Sequence, residues 1–229
     1  MLTVYHGSDH IVKNPVYLGG KQDNDYGNGF YTTEYEDRAK SWAVLNGKPE
    51  RSVVNIYELN TEELTILNFQ DYGVLAWIAE VMANRGMSQE AAGIVGEKIV
   101  ESYRIDSSQY DILKGYRADD SYTQVIEAFL LNQISLTEVE RLFYKGDLGN
   151  QIFLKSEKAF KNIQWVSSYE VDAEDREVKT DLLARREVNR FLSGRIKAIL
   201  LEGFQVSGIT AQYAVQNHLT YNREGDYYE

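Results

Sequence analysis

The chain contains no cysteine. Disulfides, thiolate nucleophiles and cysteine-based zinc sites are therefore excluded together. There are only two prolines in 229 residues, and three histidines: His6, His10 and His218. His6 and His10 have the spacing of one helix face, but no third ligand follows at a recognisable distance, so no metal is expected. No apolar run approaches the roughly 20 residues that a membrane helix requires, and no membrane partner is expected. The opening "MLTVYHGSDH" lacks a basic leader and an apolar stretch, so no signal peptide is expected and a bacterial-type cytoplasm is the default location. Positive charge is also scarce, with 24 Lys and Arg against 35 Asp and Glu, a net charge of −11. Residues 1–160 carry −9 of it and residues 161–229 carry −2. A phosphate-backbone footprint needs a basic surface, so the acidic front argues against one. A single base or terminal phosphate held in a pocket stays compatible with it.

What is present is apolar and aromatic. Hydrophobic residues make up 43% and tyrosine alone contributes 17 residues. That content suits a globular chain with a substantial core. Alternation or β-branched and aromatic runs predict strands at 2–8, 29–33, 52–60, 64–69, 110–116, 150–156 and 161–171. Helical spacing predicts helices at 34–47, 73–86, 88–103, 119–135 and 137–146. Gly47, Gly86 and Gly146 stand at helix ends, and Ser88 and Thr137 at helix starts. Residues 9–28, rich in Asx and glycine, predict a loop. From 172 to 201 the chain is charged, with Leu182, Val188, Leu192, Ile196 and Leu200 close to one stripe. A break at 203–208, a helix at 209–221 and a polar tail complete the chain. Strands and helices mix without regular βαβ alternation, so the expected class is α+β. The expected division is a domain over 1–170 and a helical extension over 171–229, packed on it or binding a partner.

Three stretches carry distinct chemistry: "YHGS" (5–8), "GNGFYTT" (27–33) and "NQIFLK" (150–155). Each is a strand edge with one marked residue: His6, Tyr31 and Gln151. In order and character they resemble the His-Tyr-Glu branch of the ADP-ribosyltransferase superfamily, which holds the poly(ADP-ribose) polymerases and diphtheria-toxin-like enzymes. There a His-Gly strand, a Gly-x-Gly-x-Tyr strand and a strand opening with the catalytic Glu follow one another. With "YDILKGYRADD" (110–120) and "QIFLKSEKAF" (151–160), the chain is also similar to a bacterial group, domain-of-unknown-function family 3990. The resemblance covers about residues 1–165.

The resemblance implies a split antiparallel sheet with flanking helices and NAD as substrate. Its implied ligand set is His6, Gly7, Ser8, Gly29, Phe30, Tyr31 and Trp42. His6 would bond a ribose hydroxyl, and Gly7 would let its backbone reach the nicotinamide amide. Tyr31 would stack on the nicotinamide, with Trp42, 11 residues on, as a second ring. Gly27 and Gly29 would permit a tight backbone approach, with Tyr31 facing ligand and Phe30 the core. The departure is Gln151, which can orient a group but cannot act as a base. The implied activity is therefore single ADP-ribose transfer, of toxin or defence type, to a protein or nucleic-acid acceptor, with NAD hydrolysis as a side activity. Asp119 and Asp120, at a strand-to-helix junction, are candidates for a second carboxylate, with Glu157 behind them. Lys21, Asp25 and Arg38 are read as pyrophosphate contacts or braces of the loop. The alternative is a weak or inactive module that binds NAD or ADP-ribose. The helices at 172–221 could dock an antitoxin-like or self partner.

Overall fold

The computed structural model describes residues 1–46, 51–86, 90–117, 120–145, 150–172, 176–222 and 225–228. The strands are β1 (Leu2–Ser8), β2 (Phe30–Thr33), β3 (Val53–Leu59), β4 (Ile66–Asn68), β5 (Ile112–Tyr116), β6 (Asn150–Leu154), β7 (Ile163–Glu170), β8 (Thr220–Tyr221) and β9 (Tyr227–Tyr228). The helices are α1 (Glu36–Asn46), α2 (Gly73–Arg85), α3 (Glu90–Tyr103), α4 (Asp120–Leu130), α5 (Leu136–Lys145), α6 (Glu157–Lys161), α7 (Arg176–Glu202) and α8 (Ala211–Gln216). Seven strands form one sheet in the order β4-β5-β6-β2-β1-β3-β7. Every neighbouring pair in it is antiparallel except β4-β5. The class is α+β. Among the described residues, no helix is long and apolar enough to cross a membrane.

The residues group into two compact units that interleave along the chain. The first comprises 1–68, 106–116 and 148–183, and the second 69–105, 117–147 and 184–229. Helices α2 to α5 thus group with the C-terminal segment, whereas the division expected from sequence runs in chain order and cuts after residue 170.

In the first unit, the β1–β3 ladder runs without interruption from Leu2↔Leu59 to Ser8↔Val53. Its inward residues join Phe30, Ile112, Ile152, Leu154 and Ala159 in one cluster with Val4, Tyr57, Leu59 and Leu64. On the other face, Ala39 and Ala43 of α1 meet Val54. Small residues bring α1 close to β1, and Gly7 closes the last gap. A Cβ on Gly7 would lie 2.0 Å from the Ala39 carbonyl oxygen and 2.5 Å from the Ala43 nitrogen. Acidic Glu36 and Asp37 stand in the first turn of α1, where the helix dipole favours them.

In the second unit, α2 is buried from Gly73 to Met82, apolar on nearly all sides as a central helix must be. Trp77 is fully buried and meets Phe143 edge-on at 4.9 Å. The side chain of the N-cap residue Tyr72 does not cap α2. The Leu75 N–H instead donates to the Tyr227 hydroxyl at 2.9 Å. The tail read from sequence as polar is therefore a short hairpin, β8 with β9, that delivers Tyr227. The segment read as a helix over 209–221 is helical only at Ala211–Gln216, capped by the Thr210 side chain, which accepts from Tyr213 N–H. Two further corrections concern helix ends, and a third concerns a helix not expected from the sequence. Helix α5 begins after Ser135, whose N–H and hydroxyl both donate to Glu138, so Thr137 is not its cap. Helix α4 ends at Leu130 rather than 135. A short helix, α6, escapes the hydropathy pattern and is set by Ser156, which accepts the Ala159 N–H. Gly47, Ser88 and Gly146 lie outside the described residues.

Gly7→Ala forces a Cβ against rigid backbone. It should lower stability by about 2 kcal/mol or more in urea unfolding, the usual scale of overpacking. A loss below about 0.5 kcal/mol, within the range of an ordinary surface change, would show that α1 does not approach β1 this closely.

Candidate functional site

Thr33 is the point from which the site is built. It pairs with Tyr5 of β1 on one side and with Gln151 of β6 on the other. Its hydroxyl donates to the Asn150 carbonyl at 3.1 Å and accepts the Tyr35 N–H at 3.2 Å. Two residues back, Tyr31 pairs with Phe153. Side chains alternate along a strand, so Tyr31 and Gln151 share one face of the β2–β6 ladder. Phe30 turns to the opposite face and into the core, with ring contacts to His6 and Tyr57 at 4.6 and 5.5 Å.

Strand β1 pairs with β2 only at Tyr5↔Thr33. Beyond it, the His6 ring packs on Phe30 and its Nδ1 reaches the Tyr31 carbonyl at 2.7 Å. A carbonyl only accepts, so Nδ1 carries the proton and Nε2 is left as an acceptor. Burial holds the His6 pKa down to about 4; the Tyr31 carbonyl opposes this and His10 adds to it. His6 is neutral at physiological pH.

The Tyr31 hydroxyl donates to the Gly27 carbonyl at 2.8 Å and accepts the Tyr26 N–H at 3.0 Å. Gly27 has φ 81°, the left-handed turn that a side chain disfavours. Gly29 serves closeness instead: a Cβ there would sit 2.4 Å from both the Leu154 carbonyl oxygen and the Phe153 ring. The Tyr26 ring lies nearly parallel to that of Tyr31, 12° between planes and 6.3 Å between centroids. Tyr26 also donates from its hydroxyl to the Tyr116 carbonyl at 2.8 Å. Gln151, 4% exposed, donates from Nε2 to the same carbonyl at 3.2 Å and to Asp25 Oδ2 at 2.8 Å. Residues 25–27 thus tie Tyr31, Tyr116 and Gln151 into one network.

The other expected residues fall as follows. Ser8 donates to the His10 carbonyl at 2.7 Å and accepts from Asn55 Nδ2 at 3.1 Å. Buried Asn55 also accepts the Val12 N–H at 2.8 Å, so it clamps the turn after β1. Trp42 is buried on α1 beside Gly7. Glu157 is exposed at the start of α6, paired with Lys161 at 2.8 Å. Asp119 lies outside the described residues, and so does the side chain of Asp120, the first residue of α4. Lys21 is exposed on the loop, and Arg38 is half-buried on α1.

Residues 2–165 match the family described as "Protein of unknown function (DUF3990)". The chain belongs to that family. Neither curated proteins nor solved structures match it. In this DUF3990 chain, Asp25, Tyr26 and Tyr116 are the members of the site network that motif reading missed or left as a loop brace. The available signal was aromatic and acidic density in "DNDYGNGFY", a loop too polar for a core and too rich in tyrosine for a plain linker.

The imidazole of His6 should stay neutral down to about pH 5 in an NMR titration. Its folded pKa is below the unfolded 6.5, so the unfolded chain binds the extra proton, and stability falls as pH drops from about 6.5 toward 4. A midpoint near 6.5 would overturn the buried contact. Tyr31→Phe keeps the ring but orphans the Tyr26 N–H; it should cost about 1–2 kcal/mol and speed exchange of that amide. Unchanged exchange would show that the hydroxyl does not hold the loop.

Proposed function

We propose that this DUF3990 protein is an NAD-dependent mono-ADP-ribosyltransferase with an ADP-ribosyltransferase-like split sheet. One observation carries the reading. The three strands that bear His6, Tyr31 and Gln151 are widely separated in sequence, yet they are neighbours in the order β6-β2-β1. Strands β1 and β2 share only a single paired residue. Next to it the two strands are joined by the His6 imidazole on the Tyr31 carbonyl rather than by a main-chain ladder.

The residues divide the work by their chemistry. His6, neutral with Nε2 as acceptor, takes a hydrogen bond from a ribose hydroxyl. The half-buried ring of Tyr31 offers a stacking face to nicotinamide, and such a contact contributes on the order of 1 kcal/mol. Cleavage at the nicotinamide–ribose bond develops positive charge on the sugar, so acceptor dipoles around that sugar favour the transition state. Gln151 accepts a hydroxyl of the same ribose and orients it. It cannot remove a proton, so the acceptor nucleophile must be reactive by itself or activated by a carboxylate. A toxin or defence role is a fold-level analogy.

The amide at 151 also favours a second reading, a module that holds NAD or ADP-ribose without turnover. Incubation with NAD labelled in the adenylate and in the nicotinamide separates them. The transferase reading expects nicotinamide release and label transfer, both reduced at least tenfold in His6→Ala and Tyr31→Ala. Saturable binding without release favours the module. Neither binding nor release by the wild-type chain rejects both readings.

A further inference from the structure

The Gln151 amide has two N–H donors, and both are spent. Nε2 reaches Asp25 Oδ2 at 2.8 Å and the Tyr116 carbonyl at 3.2 Å. Gln151 Oε1 accepts no hydrogen bond from any described residue. The side chain is only 4% exposed, yet Oε1 is not one of the buried atoms without a partner, so what surface the group keeps includes its acceptor. The orientation is not left to chance. A flipped amide would set Oε1 against the Asp25 carboxylate and the Tyr116 carbonyl, three acceptors together, and such an arrangement is strongly disfavoured. Asp25 is itself 6% exposed, so its partnership with Nε2 is made with little competition from water.

We infer that Asp25 is a positioning residue that fixes the Gln151 amide, so that this point of the site presents an acceptor and receives a hydroxyl-bearing group rather than a phosphate or carboxylate. The inference rests on the NAD reading and deepens it by naming the residue that positions Gln151. It also explains why the strand carries an amide where the resembling enzymes carry an acid. A carboxylate at position 151 would put an oxygen about where Nε2 stands now, within hydrogen-bond distance of the Asp25 carboxylate. Two carboxylates that close cannot both ionise comfortably. An acid at position 25 and an acid at position 151 are thus alternatives: the negative charge sits on the loop, and β6 keeps only the acceptor.

A double-mutant cycle of Asp25→Asn, Gln151→Glu and the combined D25N/Q151E decides this. It is read by urea unfolding at pH 8 and by calorimetric titration with NAD. Expected is a lower unfolding midpoint and at least tenfold weaker NAD binding for Q151E alone. In D25N/Q151E the donor and acceptor exchange places, with the amide on the loop donating to a carboxylate on β6. That double variant should recover part of the midpoint and of the NAD affinity lost in Q151E, short of wild type because a carboxylate oxygen now faces the Tyr116 carbonyl. A double variant no better than Q151E, or Q151E indistinguishable from wild type in both measurements, overturns the inference. If the wild-type chain binds no NAD, the NAD reading falls, and the pairing of Asp25 with Gln151 is judged by the urea cycle alone on the same criterion.

Discussion

A strand can present only every second residue to one side, and Thr33 sets the phase of that alternation for the whole site. It is fully buried, it pairs with two strands at once, and its hydroxyl is held by backbone on both sides. A slip of one residue in either ladder would exchange Tyr31 for Phe30 at the face shared with Gln151. It would drive a tyrosine hydroxyl into the cluster of Val4, Tyr57 and Leu154 and pull a core ring out. The cost of that exchange is what fixes the register of a strand only four residues long.

The same alternation sends His6 to the face of Phe30. The imidazole is joined to the Tyr31 strand through a main-chain carbonyl, not through the phenol. Its tautomer is thereby decided by backbone, and its neutrality by burial against the aromatic ring beside it. Tyr31, in turn, is committed through its hydroxyl to the loop, with its ring beside those of Tyr26 and Phe153. Each of the three marked side chains has one part anchored by the fold: Nδ1 of His6, the hydroxyl of Tyr31 and Nε2 of Gln151.

Much of this was legible in the chain. The first strand, the aromatic strand after the glycines and the helix that follows were marked by alternation, by β-branched and aromatic residues and by acidic residues before Ala39. The three-stretch pattern located His6, Tyr31 and Gln151 on what became adjacent strands. What was not legible depended on pairing at a distance. Nothing local to "DND" says that Asp25 meets an amide 126 residues on. Ser135 competes with Thr137 as a cap, and only the reach of Glu138 decides between them. The interleaving of the two units is equally silent in hydropathy, because α2 reads as a buried helix whichever core it enters.

The single hydroxyl at the head of α2 has a consequence for the order in which the molecule is built. The oxygen that satisfies the Leu75 amide belongs to a tyrosine 152 positions later. Until that hairpin emerges from the ribosome, the most apolar helix of the chain has an open first turn. Its nascent form must wait, shielded or uncapped, while every element from α3 to β8 is synthesised.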